Sequence, residues 1–333
     1  MSVTRKVSVT HEASVTHEAS ITHEVSVASD VGVSDAKPVI EATGLQKRYG
    51  DFEAVRGIDL RVEKGRCIGL LGPNGAGKTS TMRMIMGLTT VTSGELLLFG
   101  KPVNAIHRAD RAKIGLVPQE DNLDPELSVR QNLEVYGRYF KLPASMIAKC
   151  VPDLLAFMEL TEKENQSVMQ LSGGMKRRLV IARALIGDPE LVILDEPTTG
   201  LDPQARVLIW KQLQALKREG KTLLLTTHYM DEAERLSDHI VIIDGGKILA
   251  EGSPADLIRE HVSGHVFDVQ KPLSEALANG RFDKEDIGDS VLFYAEEMDE
   301  LRKMLSEDAI YLHRPANLED VFLRLTGRKL RET

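Results

Sequence analysis

Gly72 to Ser80 read GPNGAGKTS, a glycine spacing that lets a backbone wrap closely round a chain of phosphates. Its N–H groups then point inward at the positive end of the helix that follows. Gly72, Pro73, Asn74, Gly75, Ala76 and Gly77 form this cradle. Lys78 adds a point charge for the β and γ phosphates, Thr79 a hydroxyl for Mg²⁺, and Ser80 a second hydroxyl for the β phosphate. A plain glycine-rich turn is the bland alternative, and the position between an apolar strand pattern, RCIGLLG, and a helix argues against it. Downstream, Asp195 and Glu196 close the run LVILDE. Acids at the carboxyl end of a buried strand lie where α/β sheets bind their ligands. Asp195 is read as outer support of a Mg²⁺ shell. Glu196, facing differently, is read as the general base that polarises water for in-line attack on the γ phosphate. Two adjacent acids also make a solvated turn, but their company with a phosphate loop favours the chemical reading.

Other residues carry chemistry only in combination. Ser172, Gly173 and Gly174 open a helix whose N-terminal amides bind an anion. His228 follows TLLLTT and Gln119 follows KIGLVP, each expected to end a strand, where a lone polar residue is usually structural. Asp202 before Pro203 reads first as a helix cap, and Tyr49 in KRYGDFEAV as packing. The order phosphate loop, LSGG helix, acidic strand end changes this. LSGGMKRRLVIARALIGDPELVILDEPTTGLD, from Leu171 to Asp202, resembles the ATP-binding-cassette ATPases. The resemblance covers roughly Val39 to Glu260. It implies ATP and Mg²⁺ as cofactors and Tyr49 stacked on adenine. His228 becomes a switch residue bonded to the γ phosphate and the catalytic carboxylate. Gln119 reaches Mg²⁺ and the attacking water, and its loop touches a membrane partner. The resemblance further implies that Ser172, Gly173, Gly174 and Asp202 act on ATP held by a second copy, in a head-to-tail sandwich dimer. Lys176, Arg177 and Arg178 are read as a solvated helix face and not as a nucleic-acid patch.

These residues need a mostly parallel sheet to bring them together. VIEATGLQKRYG and FEAVRGIDLRVEKG alternate as half-buried antiparallel strands. Strands are expected at RCIGLLG, ELLLFG, KIGLVPQ, LVILDE, KTLLLTTH and HIVIIDGG. Helices are expected after Lys78, from Ser128 to Lys141, from Ala144 to Glu159, after LSGG, and near Pro203 and Met230. The fold class is thus α/β: a P-loop core with an antiparallel β subdomain, and a separate helical lobe between Gln119 and Gly187. After Gly264 a small α+β unit follows. Its strands are expected at HVFDVQ, SVLFYA and AIYLHRP, and its helices near Pro272 to Ala278, Met298 to Ser306 and Asn317 to Leu325. In the last of these, Leu318, Val321, Phe322 and Leu325 form an apolar stripe, core in the first instance and partner surface in the second. Boundaries are set at 1–37, 38–262 and 263–333.

Composition narrows the class further. Forty-two Lys and Arg against 50 Asp and Glu give a net charge of -8, which argues against a nucleic-acid binder. Two cysteines, Cys67 and Cys150, lack metal-ligand spacing and are expected to be buried thiols. No apolar run approaches the roughly 20 residues that span a bilayer. At the N-terminus, SVTHEA, SVTHEA and SITHEV repeat from Ser8 to Val25, a low-complexity tail whose His11, His17 and His23 lack the company of a metal site. The stretches VPQEDNLDPELSVRQNLEVYGRYF and LEDVFLRLTGR look like the ATP-binding subunits of ABC-2-type exporters, especially the nodulation-type lipo-oligosaccharide and daunorubicin-resistance groups. The expectation is a cytoplasmic, Mg-dependent ATPase held at the inner face of the membrane by a separate ABC-2-type permease. Its cargo would be drug-like or lipid-linked. The main alternative is an importer ATPase with a regulatory C-terminal domain. A translation-associated protein usually carries two cassettes, and a DNA-repair ATPase needs a long coiled coil, for which the stretch from Gln119 to Leu171 is too short.

Overall fold

The computed structural model describes residues 37–262, 264–273, 277, 282–306 and 308–327. The six-residue repeats lie outside the described residues, as does most of the helix expected from Pro272 to Ala278. The alternating N-terminal segments form a hairpin of β1 (Ile40–Tyr49) and β2 (Phe52–Val62), with Ile40 opposite Val62 and Tyr49 opposite Phe52. On the other side of β1 lie β4 (Ser93–Leu98) and the short β5 (Lys101–Pro102), completing a four-stranded sheet in the order β2-β1-β4-β5.

The central sheet has six strands in the order β10-β9-β3-β8-β7-β6. Its parallel members are β3 (Cys67–Leu71), β6 (Ile114–Val117), β7 (Leu191–Asp195), β8 (Thr222–Thr227) and β9 (His239–Asp244). β10 (Lys247–Gly252) closes one edge antiparallel. Both faces are covered, which is why β3 and β7 read as unbroken apolar runs instead of alternating. Successive side chains go to opposite layers. Leu191 and Ile193 pack with Met82, Met84 and Ile85 of α1 (Lys78–Ile85) beneath the antiparallel sheet. Val192 and Leu194 pack against helices on the other side.

Those helices are α3 (Val129–Tyr139), α4 (Ala144–Phe157), α5 (Gly173–Leu185) and α6 (Pro203–Arg218); the one-turn α2 (Arg108–Arg111) precedes β6. α3 starts where the sequence provides a reciprocal cap: Ser128 accepts from the Gln131 amide and Gln131 reaches back to the Ser128 amide. The helical lobe does not have a core of its own. Leu133, Val151 and Leu155 belong to one apolar cluster with Val192, Leu194 and Leu225 of the sheet, so lobe and sheet are packed as a continuous interior. Cys67 is buried, its thiol pushed up to about 12 chiefly by desolvation, whereas Cys150 is only half-buried, contrary to expectation.

Further helices among the described residues are α7 (Met230–Leu236), α8 (Pro254–His261), α9 (Met298–Arg302) and α10 (Leu318–Thr326). A third, wholly antiparallel sheet contains β11 (His265–Gln270), β12 (Asp283–Asp286), β13 (Ser290–Ala295) and β14 (Tyr311–Pro315) in the order β12-β13-β11-β14. Asn317 caps α10 by accepting from the Glu319 and Asp320 amides. The apolar stripe of α10 is core: Leu318, Val321 and Phe322 are buried with Ala233 of α7, Ile240 and Ile242 of β9, and Leu257 of α8. Leu292 and Tyr294 of β13 join the same cluster, so β13 and α10 share one interior with β9 of the central sheet.

Candidate functional site

Strand β3 ends at Leu71, and the chain turns through residues 72–77 into α1. Two of the glycines are dictated by space. A Cβ on Gly72 would lie 2.1 Å from the Ile243 carbonyl oxygen. One on Gly77 would lie 2.5 Å from that of Ala54, at a left-handed φ of 107°. Between them Asn74 and Gly75 are exposed, Pro73 is half-buried, and buried Ala76 has its carbonyl fixed by the Gly246 amide at 3.0 Å. Lys78 is buried, with Nζ donating to the Gly72 and Pro73 carbonyls at 2.6 and 3.0 Å, so its charge lies over the loop. Burial lowers the Lys78 pKa, and the nearby Glu196 and Asp195 oppose that shift. Thr79 is exposed and Ser80 half-buried in the first turn of α1.

Parallel register brings the remaining strand ends to this edge. Leu71 pairs with Thr227, Asp195 with Thr226, and Val117 with Leu194. β8 therefore stands between the phosphate loop and the two acids, and His228 and Gln119 leave the sheet on the same side. Both strands stop earlier than expected, at Thr227 and Val117, so these two residues lie in the following bends. Thr226 Oγ1 donates to Asp195 Oδ1 at 2.7 Å and accepts from the Glu196 amide at 3.1 Å. Glu196 has a left-handed φ of 46°, uncommon for a residue with a side chain. This turn separates its carboxylate from that of Asp195.

Glu196 Oε1 lies 3.3 Å from His228 Nδ1, a close approach without the alignment of a hydrogen bond. Its Oε2 accepts from Thr199 Oγ1 at 3.0 Å. The imidazole beside it holds the Glu196 carboxyl below the usual range against the opposing effect of partial burial, with Thr199 and Lys78 assisting. The group is thus kept ionised, as a proton acceptor must be.

The basic run after LSGG is not a solvated face. Arg177 is buried, and its guanidinium donates to five main-chain carbonyls: Nε to Pro197 at 2.7 Å, Nη2 to Asp195 at 2.9 Å and Glu196 at 3.2 Å, and Nη1 to Gln119 at 3.3 Å and to Pro118. Arg178 is also largely covered, donating to the Met158 carbonyl at 2.6 Å. Sequence did hold a signal for Arg177. It lies in phase with buried Gly174, Ile181 and Ala184 of α5, so helical periodicity assigns it to the inner face. A second residue missed from the sequence is Glu232. It is buried, with Oε1 accepting from Thr198 Oγ1 at 2.8 Å and Trp210 Nε1 at 3.1 Å, and desolvation pushes its carboxyl up.

At the N-terminus of α5, Ser172 caps the helix by accepting from the Met175 amide at 3.3 Å. Ser172 and Gly173 are exposed. Gly174 is buried, and a Cβ there would meet the Ala205 Cβ at 2.7 Å, so close packing on α6 fixes this glycine independently of any ligand. Asp202 caps α6, accepting from the Ala205 amide at 2.9 Å. Tyr49 is 44% exposed at the hairpin tip, with Lys47 Nζ 4.8 Å from its ring centre. Gln119 is exposed, its carbonyl bound by Arg177.

A phosphate loop, an acidic strand end and a capped glycine helix on one α/β sheet define an ATPase of the ATP-binding-cassette class. Residues 55–199 match the family model for ABC transporters, and residues 273–327 match that for the C-terminal domain of the nodulation factor export protein NodI. The chain is 50% identical over 300 residues to a Nod factor export ATP-binding protein I of Cupriavidus metallidurans, covering 88% of this chain and 99% of that one. It is 48% identical over 305 residues to the protein so named in Rhizobium meliloti, covering 89% and 91%. It is also similar to the dimeric post-hydrolysis structure of the cassette MJ0796 bound to ADP and Pi, with 27% identity, TM-score 0.58, and coverage of 64% of this chain and 98% of that one. The chain belongs to the Nod factor export ATP-binding protein I family of ABC transporter ATPases. It binds and hydrolyses ATP as the motor subunit of a transporter.

Proposed function

We propose that this ATPase powers the export of a lipid-linked oligosaccharide of the Nod-factor kind through a separate ABC-2-type membrane permease. It works as a sandwich dimer on the permease's inner face. Among the described residues no helix is long and apolar enough to cross a membrane, so passage through the bilayer falls to the partner. The observation that carries the reading is the register that gathers Gly72, Gln119, Glu196 and His228 at one sheet edge. In it Tyr49 stacks on adenine, while Gly72 to Gly77, Lys78 and Ser80 hold the phosphates. The exposed Thr79 hydroxyl and the Gln119 amide suit Mg²⁺, which takes few protein ligands and is completed by phosphate oxygens and water. Asp195, anchored by Thr226, supports that shell. Bound by these residues, Mg²⁺ would supply charge neutralisation at the β and γ phosphates.

Glu196 accepts the proton of a water whose oxygen bonds to the γ phosphorus as the bond to the bridging oxygen breaks, releasing ADP and phosphate. His228 holds the Glu196 carboxylate and touches the γ phosphate. Ser172, Gly173, Gly174 and Asp202 of the opposite copy close the site. Residues 38–262 form the nucleotide-binding unit and 263–333 the accessory one. Import with a regulatory domain has no comparable support, since the family model matching 273–327 and the relatives named above are those of export proteins.

The test is complementation of a lipo-oligosaccharide-producing strain that lacks its own ATPase subunit, with labelled product counted outside and inside the cells. Wild type restores release and Glu196→Gln does not. An active ATPase that bound the permease yet left the product inside would overturn the assigned cargo.

A further inference from the structure

We propose that Arg177 is a positioning residue that locks the anion-binding end of α5 to both hydrolytic strand ends of its own chain. Closure on the partner's nucleotide then sets Gln119 and Glu196 against the chain's own. The inference rests on the sandwich-dimer reading above. Arg177 lies one helical turn beyond Gly174, so movement of the α5 N-terminus moves its guanidinium. That planar fork spends its hydrogen bonds on main chain, with one long ion pair beside them. Five carbonyls from the ends of β6 and β7 accept from it, whereas the nearest carboxylate, Asp121, lies 3.9 Å away.

Glu196 is held from both sides. Its N–H donates to Thr226, and its carbonyl accepts from Arg177. A side-chain-bearing residue keeps a left-handed φ only where its surroundings over-determine it, and these two contacts do so next to the carboxylate that faces His228. The same helix holds the next residues of the Gln119 loop, since Arg183 donates to the Asp121 and Asn122 carbonyls at 3.2 and 2.6 Å. One end of α5 thus meets the partner's anion while its inner face carries the chain's own base and water-orienting loop.

The test compares Arg177→Met and Arg177→Lys with wild type in turnover, and repeats each in the Glu196→Gln background for ATP binding and ATP-driven dimer mass. With Arg177→Met, ATP affinity stays within about threefold and the dimer still forms, while kcat falls on the order of 10²-fold, the cost of a small misplacement of reacting groups. The ATP dependence of turnover also loses its cooperativity. Lysine keeps the charge but lacks the fork, and does not restore the rate. Should the methionine variant fail to fold, the lysine variant, with its charge and stem intact, carries the same measurements. Wild-type kcat in either variant overturns the proposal. So does loss of the ATP-driven dimer in a variant that folds, because Arg177 would then serve assembly and not alignment. If Glu196→Gln alone forms no dimer with ATP, the sandwich reading itself falls.

Discussion

Glu196 gathers the features of a base in one residue: a turn that parts it from Asp195, an imidazole at 3.3 Å, and a pKa held down. Glu196→Gln preserves shape and hydrogen bonding but removes the proton acceptor. ATP binding should survive while turnover drops by about 10²–10⁴-fold, or roughly 3–5 kcal/mol in the barrier. Steady-state hydrolysis near the wild-type rate would contradict the assignment. The depressed pKa also has a thermodynamic sign. Folding favours the ionised form, so this contribution to stability is full above the ordinary carboxylate pKa of about 4.3 and is lost as pH falls through the lower folded value. Urea unfolding of wild type and Glu196→Gln should therefore show a stability difference that is constant near neutrality and shrinks below about pH 5. A difference that grew on acidification would reverse the assigned shift. Sequence singles out Lys78, Asp195 and Glu196 because each sits in a short local motif beside a strand end. Arg177 is harder to single out, although its phase with Gly174, Ile181 and Ala184 points inward, because three adjacent basic residues look solvated until the carbonyls of two distant strand ends are brought over one of them.

Elements were legible where one periodicity governed them. β3 and β7 read as buried runs, α6 and α7 start at the expected Pro203 and Met230, and α10 begins after its Asn317 cap. β12 was invisible because its residues, DKED, contain nothing apolar; it is a strand through its pairing with β13. β10 and α8 do carry signals of their own, since β10 alternates exposed and half-buried residues and α8 opens with Ser253 as its cap and Pro254 in its first turn. The stripe of α10 carries a direct consequence. Phe322 is 1% exposed among Ile240, Ile242 and Leu257, so Phe322→Ala leaves a cavity and should cost about 3–5 kcal/mol. The midpoint of urea denaturation measures this. A change under about 1 kcal/mol would mean that α10 does not bear on the central sheet as described.

At the scale of the molecule, the order β9-β3-β8-β7-β6 makes one edge of one sheet the meeting place of residues spread from Gly72 to His228. The fold class followed from motif order, and the candidate site residues were read from the same order. The continuous core that joins lobe to sheet, and sheet to α10, did not, because it depends on which faces meet and not on which residues are apolar. In the proposed sandwich two such molecules close on ATP, each offering the capped N-terminus of α5 to the other's nucleotide. Ser172 and Gly173 are exposed there, free to meet an anion from outside the chain. The decisive measurement is the light-scattering mass of Glu196→Gln with and without ATP, repeated after adding Ser172→Arg, which sets bulk and charge at that helix end while sparing the phosphate loop. ATP should double the mass of the single variant. In the double variant ATP still binds but the mass stays that of the monomer. A dimer that persists unchanged with Ser172→Arg would contradict the sandwich and remove the glycine helix from the interface.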